Sequence, residues 1–281
     1  MSDKLITWEQ AVDWLRQKPD QQTLVQHCYY DDPLELAVER FYHSEEWNAI
    51  KQLLGSSLHG KVLDLGAGRG ISSYAFAKAG CSVVALEPDP SAIVGAQAIQ
   101  SLIDSTQLPI EIVQEYGEQL PFASNSFDIV YGRAVLHHAH KLDQLCCEAA
   151  RVLKHGGIFI ATREHVLSKK EDLQAFLNAH ALHSLYGGEN AYLLNEYTQA
   201  IEQAGFVLKK TIGPSENVIN YAPTTQLEFR LMTATALSRY FGKGLAQKLA
   251  SSETVQHLYG RHLSHKSETP GRLYSFLAIK P

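Results

Sequence analysis

The residues whose types and spacing could do chemistry begin with a glycine-rich stretch behind a carboxylate. Asp64 is followed by Gly66, Gly68 and Gly70, and the apolar residues around Asp64 indicate a buried strand. Glycine takes positive φ angles at little cost and lets the backbone approach a ligand closely. A helical pattern begins at Ile71, so the order is strand, glycine turn and helix, in which backbone N–H groups point at a ligand. This order predicts a nucleotide-type binding site.

A second carboxylate follows the next predicted strand. Glu87 lies seventeen residues after Gly70, about where a ribose-binding acid is expected in such folds. A carboxylate can accept the protons of both ribose hydroxyls. The alternative is an exposed loop acid, but the glycine turn and the acid together favour ribose binding.

Two histidines and a glutamate follow later strands. His137 and His138 come after the fourth predicted strand, and Glu164 comes after the fifth. Because ligands of open α/β sheets bind beyond the carboxyl ends of the strands, we expect all three side chains to face the cleft. A histidine has a pKa near the working pH, so it can take a proton from an attacking nucleophile. The alternative is a packing or hydrogen-bonding role for at least one histidine.

Alternating strands and helices must position these residues. The first strand ends at Leu65, and six more are predicted over residues 82–86, 110–114, 127–131, 158–162, 207–212 and 273–279. Apolar residues at helical spacing lie between most of these strands. Strands that alternate with helices predict an α/β fold with a largely parallel sheet.

Three stretches carry a resemblance to a known family. Residues 64–70, Asp-Leu-Gly-Ala-Gly-Arg-Gly, resemble the first motif of the class I S-adenosylmethionine (SAM) methyltransferases. Residues 115–131 resemble the segment from the adenine loop to the fourth strand in the small-molecule branch, often called type 11. Residues 151–157 match the sequence pattern that this family has before the fifth strand. The resemblance is close over residues 60–163 and loose over 195–212.

The resemblance implies a Rossmann-like, seven-stranded, mostly parallel sheet with helices on both faces and helical cap insertions, and it implies SAM as the cofactor. Where Tyr116 stands, the family usually has an Asp that binds the adenine, so Gly117 and Glu118 would serve instead. The implied cofactor-binding residues are Asp64, Gly66, Ala67, Gly68, Glu87, Pro88, Gly117, Glu118, Gly132 and Arg133.

The same resemblance divides the chain into segments. Residues 1–58 form a helical lid or cap, the SAM-binding core covers 59–164 and 195–212, cap insertions cover 165–194 and 213–270, and 271–281 form the last core strand. The insertions form the acceptor pocket in this family. The polar and aromatic residues expected there are His183, Tyr186, Glu189, Asn190 and Tyr192, and the predicted substrate-binding residues are Tyr30, His138, Tyr186 and Asn190.

The predicted function is transfer of a methyl group from SAM to the O, N or C nucleophile of a small molecule. The sulfonium already activates the methyl group, so the protein has to align the reactants, exclude water and accept a proton where needed. His137, His138 or Glu164 would be the base, unless positioning alone carries the catalysis. No metal is expected.

Three other functions are weighed against this one. A nicotinamide oxidoreductase is disfavoured by Ile71, which stands where the dinucleotide fingerprint has glycine. A nucleic-acid methyltransferase acting on amino groups would have an Asn/Asp-Pro-Pro-aromatic motif after the fourth strand, where this chain has residues 132–135, Gly-Arg-Ala-Val. A SAM-binding protein without methyl transfer would keep the cofactor residues and lack a closed acceptor pocket.

Composition and charge bound the partners. The chain has 281 residues, 20% of them charged, and a net charge of −5, which disfavours a general nucleic-acid binder. Residues 230–281 are basic, with eight Lys or Arg against two Glu. This segment is either a solvated face or a positive wall facing an anionic acceptor.

Cysteine usage and the ends of the chain indicate location. The four cysteines make neither a disulfide framework nor a metal-ligand spacing, and no signal core or membrane-spanning run is visible. The chain is therefore expected to be cytoplasmic, a monomer or homodimer, and to bind no membrane.

Overall fold

The computed structural model describes residues 5–179, 182–187 and 189–281, so the first four residues of the predicted lid lie outside the described part. The helices are α1 (Trp8–Arg16), α2 (Gln22–His27), α3 (Leu34–Tyr42), α4 (Glu45–Leu54), α5 (Ile71–Lys78), α6 (Ala96–Thr106), α7 (Leu142–Val152), α8 (Leu173–Ala179), α9 (His183–Tyr186), α10 (Leu194–Gln203), α11 (Val218–Tyr221), α12 (Gln226–Phe241), α13 (Lys243–Ala250) and α14 (Glu253–Lys266).

The strands form one sheet. They are β1 (Lys61–Leu65), β2 (Ser82–Leu86), β3 (Ile110–Val113), β4 (Phe127–Arg133), β5 (Leu153–Leu167), β6 (Tyr192–Leu193), β7 (Val207–Ile212) and β8 (Arg272–Ile279). The order is β3-β2-β1-β4-β5-β8-β7, with the short β6 paired to β5 beside this path. Among the strands in the described residues, β8 alone runs opposite to the others, antiparallel to both β5 and β7. The α/β fold with a mostly parallel sheet is therefore confirmed, and β6 adds an eighth strand to the seven predicted.

Both faces of the sheet are covered. Successive side chains of a strand point to opposite faces, so on β1 Leu63 and Leu65 join one apolar cluster while Val62 joins the other. Helix α7 packs on the first side and α5 on the second. Burial on both faces explains why β1 carries apolar side chains on both sides, with the buried Asp64 as its polar exception.

Strand β5 is longer than predicted. The pattern indicated residues 158–162, but the strand runs from Leu153 to Leu167 because it pairs with β4 and with β8. The register with β8 shifts between Ala161 and Glu164, and Arg163 between them has a φ of 61°. This bulge decides which way Glu164 points.

Helices flank the sheet in two further groups. Residues 8–54 hold α1 to α4, of which α3 packs against α5, and residues 218–266 hold α11 to α14, of which α11 packs against α4. In the part of the chain that the structure describes, no helix combines the length and the apolar character needed to cross a bilayer.

Candidate active site

The glycine turn follows β1 and bends back under a neighbouring loop. Gly66 and Gly68 have φ angles of 58° and 56°, in the region that side chains disfavour. A Cβ on Gly66 would lie 2.3 Å from Val135 Cγ2. The turn therefore requires glycine at position 66 both for its backbone angle and for the close approach of Val135.

Glu87 ties the end of β2 to this turn. Its Oε2 accepts a hydrogen bond from the Gly68 N–H at 2.7 Å, and its Oε1 accepts one from the Asp89 N–H at 2.9 Å. Burial raises the pKa of Glu87 to about 7. Each carboxylate oxygen keeps acceptor capacity for a further donor, and Glu87 lines the cavity described below.

Asp64 is the second acid at this end. It is buried on β1, and its Oδ2 accepts a hydrogen bond from Ser73 Oγ at 2.6 Å. Burial raises the pKa of Asp64 to about 7. With Glu87 it gives the turn two carboxyl groups, and Asp64 too lines the cavity.

A cavity of about 330 Å³ opens above the glycine turn, within the size range of small-molecule sites. A smaller cavity of about 130 Å³, lined by Gly117 and Glu118, adjoins it. The two share part of their lining, so they form one cleft along the carboxyl ends of β1, β2 and β4. The shared residues are Gly66, Pro88, Val135 and His138.

The larger cavity is lined by Tyr29 and by Trp8, Tyr30 and Tyr186, and we call the last three the aromatic roof. The Trp8 ring lies edge-on to the other two, with centroids 5.8 Å from Tyr30 and 4.4 Å from Tyr186. Arg69 in the glycine turn donates to the carbonyls of Tyr29 and Asp31 at 2.9 and 3.0 Å. The segment that carries Tyr30 is thereby attached to the turn.

Two of the implied cofactor residues have other contacts. The Arg133 guanidinium lines the cavity but donates to the buried Glu46 carboxylate at 2.7 and 3.1 Å. Gly132 lines neither cavity, and a Cβ there would lie 2.5 Å from Val135 Cγ1. The structure thus gives Gly132 a packing role and Arg133 an ion pair.

The predicted adenine residue Glu118 and the predicted substrate residue Asn190 differ in position. Glu118 lines the smaller cavity, while its Oε1 accepts from the His140 N–H at 2.8 Å. Asn190 lines neither cavity. Of the four predicted substrate residues, the cavity brings together Tyr30, His138 and Tyr186.

Glu164 does not face the cleft as expected. It is fully buried, and its oxygens accept the N–H groups of Val135 and His137 at 3.1 Å each. Its Oε2 also lies 2.7 Å from His137 Nδ1. Burial raises the pKa of Glu164 to about 7. The β5 bulge turns this carboxylate under the loop after β4, so Glu164 positions that loop and contacts neither cavity.

The two adjacent histidines have different surroundings. His137 is buried beside Glu164, and burial, with the neighbouring His138 and His183, holds its pKa well below the usual range. His138 has a side chain that is 40% exposed, and it lines both cavities. Of the three predicted bases, only His138 reaches the cleft.

Residues beyond the sequence expectations also form the site. Trp8 and Val135 line the cavity, but α1 shows only an ordinary amphipathic pattern and Val135 only a loop position. The basic residues of 230–281 line neither cavity, so within the described residues this segment forms no positive wall at the cleft.

Part of the chain is similar in sequence to known methyltransferases. Residues 63–161 match the family model described as a methyltransferase domain. An uncharacterized methyltransferase of Mycobacterium marinum is 34% identical over 118 residues, which are 42% of this chain and 43% of the relative. One from Mycobacterium avium is 35% identical over 107 residues, 38% of this chain and 40% of the relative. The matched region thus spans less than half of these curated relatives.

Solved structures resemble the fold over most of its length. Geranyl diphosphate C-methyltransferase from Streptomyces coelicolor, solved with Mg²⁺, geranyl diphosphate and S-adenosyl-L-homocysteine, has a TM-score of 0.58 at 15% identity, covering 90% of this chain and 88% of that one. The [4+2]-cyclase SpnF has a TM-score of 0.55 at 16% identity, and the match covers 88% of this chain and 82% of that one. At such identities the likeness shows the fold alone, and the two names show that the fold serves different reactions.

Proposed function

We propose that the chain transfers the methyl group of SAM to a small-molecule acceptor, in keeping with the match of residues 63–161 to a methyltransferase domain. The observation that carries the proposal is the continuous cleft from the glycine turn and Glu87 to the aromatic roof. The residues fit the cofactor, since glycine is required at position 66 and Glu87 offers a buried carboxylate.

The residues of the cleft suggest the orientation of the cofactor. Asp64 and the glycine turn suit the amino acid end, which carries an ammonium group. Glu87 suits the ribose hydroxyls, and the smaller cavity beside Gly117 suits the adenine. The methyl group would then point toward His138 and the aromatic roof.

A small acceptor fits the upper part of the cavity. Trp8 and Tyr30 come from the N-terminal segment and Tyr186 from α9, so three side chains from distant positions cover the space above the turn. Such a cover favours a small molecule over a nucleic-acid strand, in agreement with the net charge of −5. Both arginines of the cavity lining, Arg69 and Arg133, are ion-paired with carboxylates, so we favour an acceptor without a strong negative charge.

The proposed mechanism relies on positioning. Bound SAM supplies a methyl group that its sulfonium charge has already activated. Glu87 and the turn hold the donor, and the aromatic roof excludes water and holds the acceptor. His138, the partly exposed histidine at the cleft, takes the proton that an oxygen or nitrogen acceptor releases.

The first test is SAM affinity, measured by calorimetry. We expect Glu87→Gln to weaken SAM binding roughly 10- to 100-fold, because a charged hydrogen-bond acceptor for the ribose is lost. The matched control is Glu111→Gln, an exposed glutamate on β3, which should leave the affinity unchanged. Equal affinity of Glu87→Gln and the wild type would remove Glu87 from the site.

The second test is turnover. Incubation with SAM and metabolite fractions should produce S-adenosylhomocysteine with a methylated small molecule, and His138→Ala should slow this conversion more than it weakens SAM binding. SAM binding without any conversion across broad fractions would favour a SAM-binding protein that transfers no methyl group.

A further inference from the structure

A cluster of four histidines and one glutamate lies behind the wall of the cofactor cleft; we call it the histidine cluster. Its members are His137, His138, His165, His183 and Glu189. Three imidazoles surround the Glu189 carboxylate, with Nε2–Oε distances of 3.4 Å for His137, 3.7 Å for His183 and 3.9 Å for His138. The fourth, His165, lies 4.7 Å from His137 between ring centroids. Glu189 itself has a side chain that is only 5% exposed.

The hydrogen bonds of two of these imidazoles fix their tautomers. His165 Nδ1 lies 2.8 Å from the carbonyl oxygen of Gly271, which can only accept, so the proton is on Nδ1. His137 Nδ1 lies 2.7 Å from a Glu164 oxygen, and the ionised carboxylate can only accept, so Nδ1 carries the proton there too. Both neutral imidazoles therefore keep a lone pair on Nε2.

Those lone pairs face a carboxylate. One ligand atom each from His137, His165 and Glu189 lie within 4.8 Å of one another. Glu189 Oε2 accepts a hydrogen bond from the Tyr186 hydroxyl, but within the described residues Glu189 Oε1 has no hydrogen-bond partner. Two imidazole lone pairs and this oxygen are all acceptors and offer each other no donor, which is costly in a protein interior. A cation between them would satisfy all three.

We propose that His137, His165 and Glu189 bind one divalent first-row transition-metal ion, for which Zn²⁺ is the best-fitting candidate. Two histidines and a glutamate form a known donor set of zinc sites with an open fourth position, and imidazole suits this ion. Ligand atoms around tetrahedral zinc lie roughly 3.4 Å apart, and the His137–Glu189 pair is already at 3.4 Å. The ligand atoms lie at most 4.8 Å apart, so the distances to His165 would shorten by up to about 1.4 Å to complete the site.

The outer contacts match those of established metal sites. Metal-bound histidines almost always donate their second ring N–H to a carboxylate or a carbonyl, which orients the ring. Here Glu164 does this for His137, and the Gly271 carbonyl does it for His165. The structure thus gives Glu164, which does not reach the cleft, a positioning role for the ligand His137.

The site borders the cleft without depending on the proposed function. His138 and Tyr186 line the cofactor cavity and also contact Glu189, as an imidazole neighbour and as a hydrogen-bond donor. The bound ion would therefore fix the Tyr186 end of the aromatic roof. Its open position would take His183, a water or a donor atom of the acceptor.

The test uses the full, untagged chain, stripped with a chelator and then equilibrated with Zn²⁺. Mass spectrometry for metals should find about one zinc per wild-type chain, and calorimetry should give a single site. His165→Ala should weaken zinc binding at least tenfold. The matched control His140→Ala, an 84% exposed histidine outside the cluster, should bind zinc as the wild type does.

A second variant covers failure to fold. Circular dichroism identifies misfolded His165→Ala, and Glu189→Gln then replaces it, with the same tenfold loss expected. Substoichiometric zinc in the wild type, with no binding of Mn²⁺, Fe²⁺ or Co²⁺ either, would overturn the proposal, as would unchanged zinc affinity in both variants. SAM titration of the metal-free protein keeps the two proposals apart, since it tests the cofactor site alone.

Discussion

The cofactor cleft and the histidine cluster behind its wall are built in different ways. The cofactor end of the cleft is local in sequence, because β1, the glycine turn, α5 and β2 all lie within residues 61–87. The histidine cluster draws His137 from the loop after β4, His165 from the far part of β5 and Glu189 from the segment after α9. A short motif can specify the first, whereas only the folded sheet brings the second together.

The acids of the molecule show a related contrast. Asp64, Glu87 and Glu164 are buried and form no ion pair with a Lys or Arg among the described residues, and burial raises the pKa of each to about 7. Burial also acts on Glu46, but the guanidinium groups of Arg133 and Arg163 outweigh it and lower the pKa of Glu46. The carboxyl groups in the cleft and behind its wall thus have pKa values near neutral pH, while Glu46 is a fixed charge that holds Arg133.

The largest effect is expected from breaking the cofactor end with Gly66→Ala. A methyl group there meets Val135 Cγ2 at 2.3 Å and the residue must keep a φ of 58°. Crowding and the left-handed backbone each cost about 1 to 3 kcal/mol. We expect SAM affinity to fall more than about 100-fold in calorimetry, with a matching loss in the free energy of unfolding.

Gly156→Ala separates the two causes. Gly156 has a φ of 77° with nothing within 4 Å of its built Cβ, so it bears the backbone cost alone, about 1 kcal/mol. If the two variants proved equally stable and bound SAM equally, the close approach of Val135 would not matter for the turn.

The next largest effect is expected from Glu164→Gln, which removes the carboxylate that positions His137 of the histidine cluster. An amide has one acceptor oxygen, so it cannot accept the N–H groups of Val135 and His137 together with His137 Nδ1. Leaving buried donors unpaired costs about 2 to 4 kcal/mol. Urea unfolding should show this loss, while SAM affinity changes less than about threefold, because Glu164 lies outside the cofactor contacts.

A surface glutamate provides the comparison. Glu148 accepts from the Leu120 N–H and pairs with Arg151 but is 20% exposed, so Glu148→Gln should cost about 1 kcal/mol. A Glu164→Gln protein as stable as Glu148→Gln would contradict the bracing role of the buried carboxylate.

The fold could be predicted well from the sequence because its signals are local. Strands β2 and β7 have the predicted ends, since buried apolar runs next to turn residues define them. Strand β5 could not be delimited, because pairing with β4 at Leu153 extends it past Gly156 and Gly157 at one end, and pairing with β8 extends it through a bulge at the other. Gly156 and Gly157 are typical of turns, so a local sequence pattern ends the strand where they begin, although the strand continues through them.

The same distinction applies to the site residues, since some follow from a local motif and others depend on the folded sheet. Asp64, Gly66 and Glu87 follow from a motif at fixed spacing, and the structure brings them to the cleft. Topology alone put Glu164 at the correct edge of the sheet, but the bulge after Ala161 changes the face on which its side chain lies. Trp8 reaches the cavity through a helix far away in sequence, for which no short pattern exists.

A pH dependence should follow from Asp64. Its pKa of about 7 lies above the usual 3.8, so between these values the native state holds a proton that the unfolded state has released. The contribution of Asp64 to stability is therefore full below about pH 4 and is lost as the pH rises through about 7. Asn does not titrate. The free energy of unfolding of Asp64→Asn should therefore rise relative to that of the wild type by about 1 kcal/mol per pH unit between about pH 5 and 7.

Urea unfolding of the SAM-free proteins measures this slope. The difference in unfolding free energy between Asp64→Asn and the wild type should level off above about pH 7, where native Asp64 is ionised. Parallel stability curves over this range would show that Asp64 is ionised in the native protein throughout.

The smallest effect is expected from substitutions in the basic segment 230–281, whose Lys and Arg residues line neither the larger nor the smaller cavity of the cleft. Lys243 and Lys248 are exposed on α13, and exposed charges contribute within about 0.5 kcal/mol to stability. The double variant Lys243→Gln/Lys248→Gln should keep SAM affinity and the rate of SAM conversion within about twofold of the wild type at low and high salt. A tenfold slower conversion that appears only at low salt would instead mean that this segment guides an anionic acceptor toward the cleft, and would restore the positive wall as part of the site.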